Sequence, residues 1–219
     1  EKFEHFQSIL CERWHLPAAE RSNLEIQGLH LQRVSLHTTV DDVPPMKDHP
    51  GEKLWESPCH RLWVQTDNQK LAELLGGHSQ LTSDDFRPLF VRLGRAMFKF
   101  MESGWKPITR ISDLVLWDRR EFNSTADHAA NVALDAMQDW SITDDDALQE
   151  AKAKDANIRA SVDGAKRGSG QSAAGVAIMA YHKDGRRVLL HRSGHLLGNL
   201  QSAFLAEALA MELCFQTLA

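Results

Sequence analysis

The chain has 219 residues, 42% of them apolar and 25% charged, enough apolar content for a buried core and unlike a disordered chain. No window approaches the ~20 uninterrupted apolar residues of a membrane helix, so a membrane is not an expected partner. A net charge of −5 argues against non-specific coating of nucleic acid, and three widely spaced cysteines without a CxxC pair argue against a disulfide framework or a zinc knuckle.

Residues 3–15 and 22–37 have apolar spacing compatible with helices, the second opening at Ser22-Asn23. Order breaks between Thr38 and His60, where Pro44-Pro45 and Pro50-Gly51 mark a loop or insertion. Leu62 to Thr66 reads as a short strand burying Leu62 and Val64. Asp67 or Asn68 then caps a helix over Leu71, Leu74 and Leu75 that stops at Gly76-Gly77. Thr82-Ser83-Asp84-Asp85 opens a long amphipathic helix through Phe90, Leu93, Met97 and Phe100. Ile111 to Trp117 is the next strand. Ser124, with Asp127 three residues on, forms a capping-box-like start to a helix reaching Trp140. Asp144 to Asp155 is acidic then basic, a connecting helix or linker. Alternation returns around Ile158, Ala160 and Val162, then Val176 and Ile178, then Val188 and Leu190. The separators Gly164 to Gly170 and Lys183-Asp-Gly-Arg186 make three antiparallel strands the economical reading.

Charge is unevenly spread. Residues 151–200 hold nine Lys or Arg against three acids, an excess that fits either phosphate contacts or an ordinary solvated hairpin rim. The cysteine usage implies a reducing, intracellular compartment, nucleus or cytoplasm. With no initiator Met at Glu1 and an apolar helical pattern running into Ala219, the chain reads as a piece of a longer one.

Three stretches carry chemistry: Ser161-Val-Asp163-Gly followed downstream by Ala206-Glu207-Ala, Leu62-Trp-Val-Gln-Thr-Asp67-Asn-Gln, and Arg119-Arg-Glu-Phe-Asn123-Ser-Thr-Ala-Asp127-His-Ala-Ala-Asn131. Together they resemble the ribonuclease H family, in particular its plant and retroelement branch. The third, close to R-E-x-N-x-x-A-D-x-x-A-N, is the most specific. The resemblance covers roughly residues 61–135 and 157–219, with the family's two halves in swapped order. It implies an α/β fold: a mixed sheet of three antiparallel strands plus parallel strands, flanked by helices. The implied division is a helical region and loop at 1–55, the C-terminal half of the domain at 56–140, a linker at 141–156 and the N-terminal half at 157–219.

By the same resemblance Asp163, Glu207, Asp67 and Asp127 are the four catalytic, metal-holding acids. The chemistry explains the residue type: phosphodiester hydrolysis needs an activated water and charge stabilisation, which two Mg2+ (or Mn2+) ions supply. Hard cations take oxygen ligands, and clustered carboxylates repel one another until a cation relieves them. Each acid also has an ordinary explanation, as a turn residue, a cap or a solvated helix residue. The resemblance implies an endonuclease that cuts the RNA strand of RNA/DNA hybrids. The alternative is an inactive ribonuclease H-like module of a retroelement polyprotein, the rest of that polyprotein being its partner; a helical interaction domain in residues 1–110 is a third. His128, His191 and His195 read as core or surface histidines, and Asp118 to Asn123 lacks the His many relatives carry there. The swapped order fits a circular permutation or a fragment of a tandem, in which case Glu25 competes with Glu207 as the helix acid.

Overall fold

The computed structural model describes residues 62–102, 114–153 and 156–219. The helices expected over 3–15 and 22–37, the break at 38–60, and Cys11, Glu25 and Cys59 lie outside the described residues. Among the described residues the elements run β1 (Leu62–Thr66), α1 (Gln69–Gly76), α2 (Arg87–Glu102), β2 (Val115–Trp117), α3 (Ser124–Ala136), β3 (Trp140–Thr143), α4 (Asp145–Ala153), β4 (Asn157–Lys166), β5 (Gln171–Tyr181), β6 (Arg187–Asn199) and α5 (Ala203–Leu218). The strands form one mixed six-stranded sheet in the order β2-β1-β4-β5-β6-β3. β1 is parallel to both β2 and β4, and the remaining pairings are antiparallel. Residues from both halves of the chain therefore close a single sheet, because β1 lies directly against β4.

Local sequence explains most boundaries. Asn68 caps α1, its Oδ1 accepting from Leu71 N–H at 3.0 Å, and Gly77 ends it in the left-handed region at φ 76°, which glycine adopts without a Cβ penalty. A short 3-10 turn, Asp84–Phe86, leads into α2. Lys183-Asp-Gly-Arg186 makes the β5–β6 turn with Gly185 at φ 84°, and Ser202 caps α5 through Leu205 N–H.

Helices cover both faces. Asp163, Gly175 and Gly194 are cross-strand neighbours on one face. On that face a Cβ at Gly175 would lie 2.0 Å from Ala126 O, and one at Gly194 would lie 2.3 Å from Ala129 O, so the backbone of α3 rests directly on the strands. On the other face a Cβ at Gly164 would lie 2.1 Å from the Glu207 nitrogen, so α5 approaches just as closely. Behind α5, α2 adds Phe90 and Phe100, and Phe100 meets Phe215 at a 5.6 Å ring separation. Each fully buried phenylalanine contributes on the order of 1.5–3 kcal/mol relative to exposure.

Three expectations differ in detail. The helix expected to run to Trp140 ends at Ala136, because Met137 turns left-handed at φ 53° with its N–H on Ala133 O. Trp140 is thereby delivered to the sheet edge, where its indole donates to Ala129 O at 3.2 Å. The span 141–156, expected as a linker, holds most of β3 and the whole of α4. Nor does Ser124 cap α3. Asn123 is the cap position, and its side chain donates to Val162 O at 2.7 Å instead of capping.

Candidate metal centre

β1, β2 and β4 point the same way, and open α/β sheets carry their sites at the carboxyl ends of such strands. Here that end contains a notch. β1 stops at Thr66, opposite Val162, while β4 continues to Lys166, so Asp163 emerges where its neighbour has ended. Asp67 follows the last residue of β1, and Glu207 enters from the first turns of α5. One oxygen from each of Asp67, Asp163 and Glu207 lies within 4.8 Å of the others, a group that can hold a metal ion.

The glycine after Asp163 makes this convergence possible. Gly164 lies mid-strand and not, as its type suggests, in the turn; its missing side chain lets the backbone at Ala206 and Glu207 touch the sheet. Glu207 is then held by Thr66, whose hydroxyl donates to Oε2 at 3.3 Å, and by the Gly164 N–H.

Burial and crowding set the electrostatics. Asp163 is 4% exposed and Glu207 6%. Desolvation, then repulsion from Asp67 and Asp127, pushes the Asp163 carboxyl up to about 7. The Glu207 carboxyl is also raised, first by desolvation and then by Asp163 and Asp67. Two buried carboxylates that disfavour their own ionisation, with a third beside them, suit a small divalent cation, which would relieve both burdens at once.

Asp127 stands apart from this trio. It projects from the first turn of α3, near enough to raise Asp163, but its Oδ1 accepts from Arg120 Nη2 at 2.7 Å. The sequence reading missed Arg120, although it stands inside the Arg-Glu-x-Asn stretch that singled out Asp127. It also missed the framework below. Asp118 accepts from Gln65 and from its neighbour Arg119 N–H, and it pairs with Arg159, which is 1% exposed and also donates to Phe122 O.

The basic excess at 151–200 is partly taken up internally: Arg159 is buried, Arg167 pairs with Asp135, and Arg186 with Asp184 and Glu150. His191 bonds Thr143 and Ser193, and His195 lies 3.6 Å from Asp139. Compared with known protein families the chain matches none, and it matches no curated protein.

Proposed function

We propose that this chain is a ribonuclease H-like, Mg2+- or Mn2+-dependent endonuclease that cleaves the RNA strand of RNA/DNA hybrids. The observation that carries the reading is the meeting in one notch of Asp67, just past the end of β1, Asp163 on the neighbouring β4 and Glu207 on α5. The resemblance expects two acids at neighbouring strand ends and one on a flanking helix, and Asp163 lies further inside its strand than that. The sheet supports it too, since the antiparallel run β4-β5-β6 continues into the parallel strands β1 and β2; β3 adds one further antiparallel strand at the other edge.

Asp67, Asp163 and Glu207 would hold the divalent ions. When bound, such ions supply an activated water and neutralise charge building on the phosphate. The protein's own part is to keep the carboxylates converged. Thr66 and the Gly164 N–H orient Glu207, and the close fit of α5 on Gly164 holds that helix against the sheet. Hybrid selectivity would come from backbone shape and 2′-hydroxyls in the minor groove, without base reading.

The pairing of Asp127 with Arg120 favours a second reading, a binding module that retains the fold and does not cut. One assay separates the two. A labelled RNA/DNA hybrid is incubated with the full chain in magnesium, in excess chelator, and beside Asp163→Asn. RNA cleavage that needs both the metal and Asp163 supports the nuclease; binding by a folded chain that never cuts supports the module.

A further inference from the structure

The segment from Trp117 to Asn123 is an exposed loop and a single 3-10 turn, yet it is fastened to the acid-bearing strands at every step. Asp118 N–H donates to Thr66 O at 3.0 Å, Trp117 Nε1 donates to Asp67 O at 3.1 Å, and Asn123 donates to Val162 O, beside Asp163. Buried Arg159 holds it from below through Asp118 and Phe122 O. This anchored segment shows to solvent the Trp117 ring, the guanidinium groups of Arg119 and Arg120, and the carboxylate of Glu121, which lies 4.0 Å from Arg119. Trp117 is 49% exposed, and the side chains of Arg119 and Arg120 are 71% and 75% exposed.

A large apolar ring at the surface with its one polar atom already bonded has only its π-surface left to offer. Its orientation is fixed by the bond to the carbonyl of Asp67, itself one of the clustered acids. Arg120 presents a planar fork of donors suited to phosphate, of which one accounts for the bond to Asp127. An anchored ring and a guanidinium on one short segment offer a polynucleotide a face to stack on and a donor fork for phosphate.

We propose that Trp117 and Arg120 form a strand-docking wall beside the acid cluster, Trp117 stacking on a nucleotide ring and Arg120 pairing with the adjoining phosphate. The choice of a polynucleotide as ligand rests on the nuclease reading. Arg120 reaches the phosphate from its position on Asp127, so docking and the release of that carboxylate are coupled.

The test measures binding of a short fluorescein-labelled RNA, alone and annealed to complementary DNA, by anisotropy in calcium across a salt series. The full chain is compared with Trp117→Ala, Trp117→Phe and Arg120→Ala, each checked for native circular dichroism, and cleavage of the hybrid in magnesium is followed in parallel. Trp117→Ala weakens binding on the order of tenfold while Trp117→Phe keeps most of it. Arg120→Ala lowers the slope of log affinity against log salt by about one. If the parent chain binds and cuts while these variants bind as tightly with an unchanged salt slope, the wall is overturned and the nuclease stands. If binding depends on Trp117 and Arg120 but the hybrid is never cut, the wall stands and the nuclease falls. A parent chain that binds neither probe overturns both.

Discussion

Asp163 carries opposed demands: its place in the strand buries it, and its neighbours charge it. In the unfolded chain its carboxyl has the ordinary value of 3.8, and in the fold it is raised to about 7, so between those values the folded state holds the extra proton. Without divalent cations the stability contribution is therefore fully present below pH about 4 and is lost as pH rises through 7. Thermal melts in chelator should give a lower midpoint near pH 8 than near pH 5, and adding magnesium at the higher pH should recover the difference. Asp163→Asn should raise apo stability at pH 8 by about 1–3 kcal/mol and abolish the magnesium-dependent gain, a pair of outcomes that simple damage to the fold does not produce. Asp163 and Asp67 were legible through distinctive flanking residues, and Glu207 only through its place on the helix after the three strands, where Glu25 rivalled it. Their burial was not, since it depends on where β1 stops relative to β4. The Arg120 partnership of Asp127 was hidden for a related reason: a capping-box spacing from Ser124 explained Asp127 locally, whereas the turn that brings Arg120 beside it is set by Arg159 reaching out from the sheet and Asn123 reaching back to Val162 O on it.

At the level of elements, α3 and α5 touch the sheet through glycines, so helix position is fixed by the absence of side chains. Gly175→Ala would drive a methyl into Ala126 O and the Ala130 nitrogen, both backbone atoms that cannot rotate aside. The helix must lift, at a cost of about 1–3 kcal/mol or more, readable as a fall in the urea midpoint without a change in slope. Gly164→Ala should cost as much and also weaken magnesium binding, because Glu207 rides on the displaced helix. Elements with strong local punctuation were readable from sequence. Asn68 and Gly77 bracket α1, and Asp184-Gly185 turns β5 into β6. β3 was not, because Trp140 continues the apolar spacing of α3 and only the left-handed Met137 separates them. Met137 has no residue-type signature for that conformation.

Across the whole molecule, one sheet binds both halves of the chain. Trp117 and Trp140 stand on its two opposite edge strands, β2 and β3. Labelled with fluorotryptophan and assigned by substitution, both should lose native signal at the same urea concentration; separate midpoints would mean that the two edges of the sheet unfold independently. The mixed sheet and its antiparallel trio were legible from alternation and turn residues. That β1 joins β4 was expected only from the resemblance, which sets the strands of Asp67 and Asp163 side by side; local sequence does not signal it, since parallel partners share no turn and their register arises only from packing.

The central position of β4 has a consequence for biosynthesis. Among the described residues the strands made first, β1 and β2, cannot be completed until a strand roughly 90 residues further along has left the ribosome, a wait on the order of 5–20 s at ordinary translation rates. Through that interval the nascent chain shows a bare strand edge and an uncovered apolar helix. Its yield in a cell should respond to chaperone supply and translation speed more than its final stability would indicate.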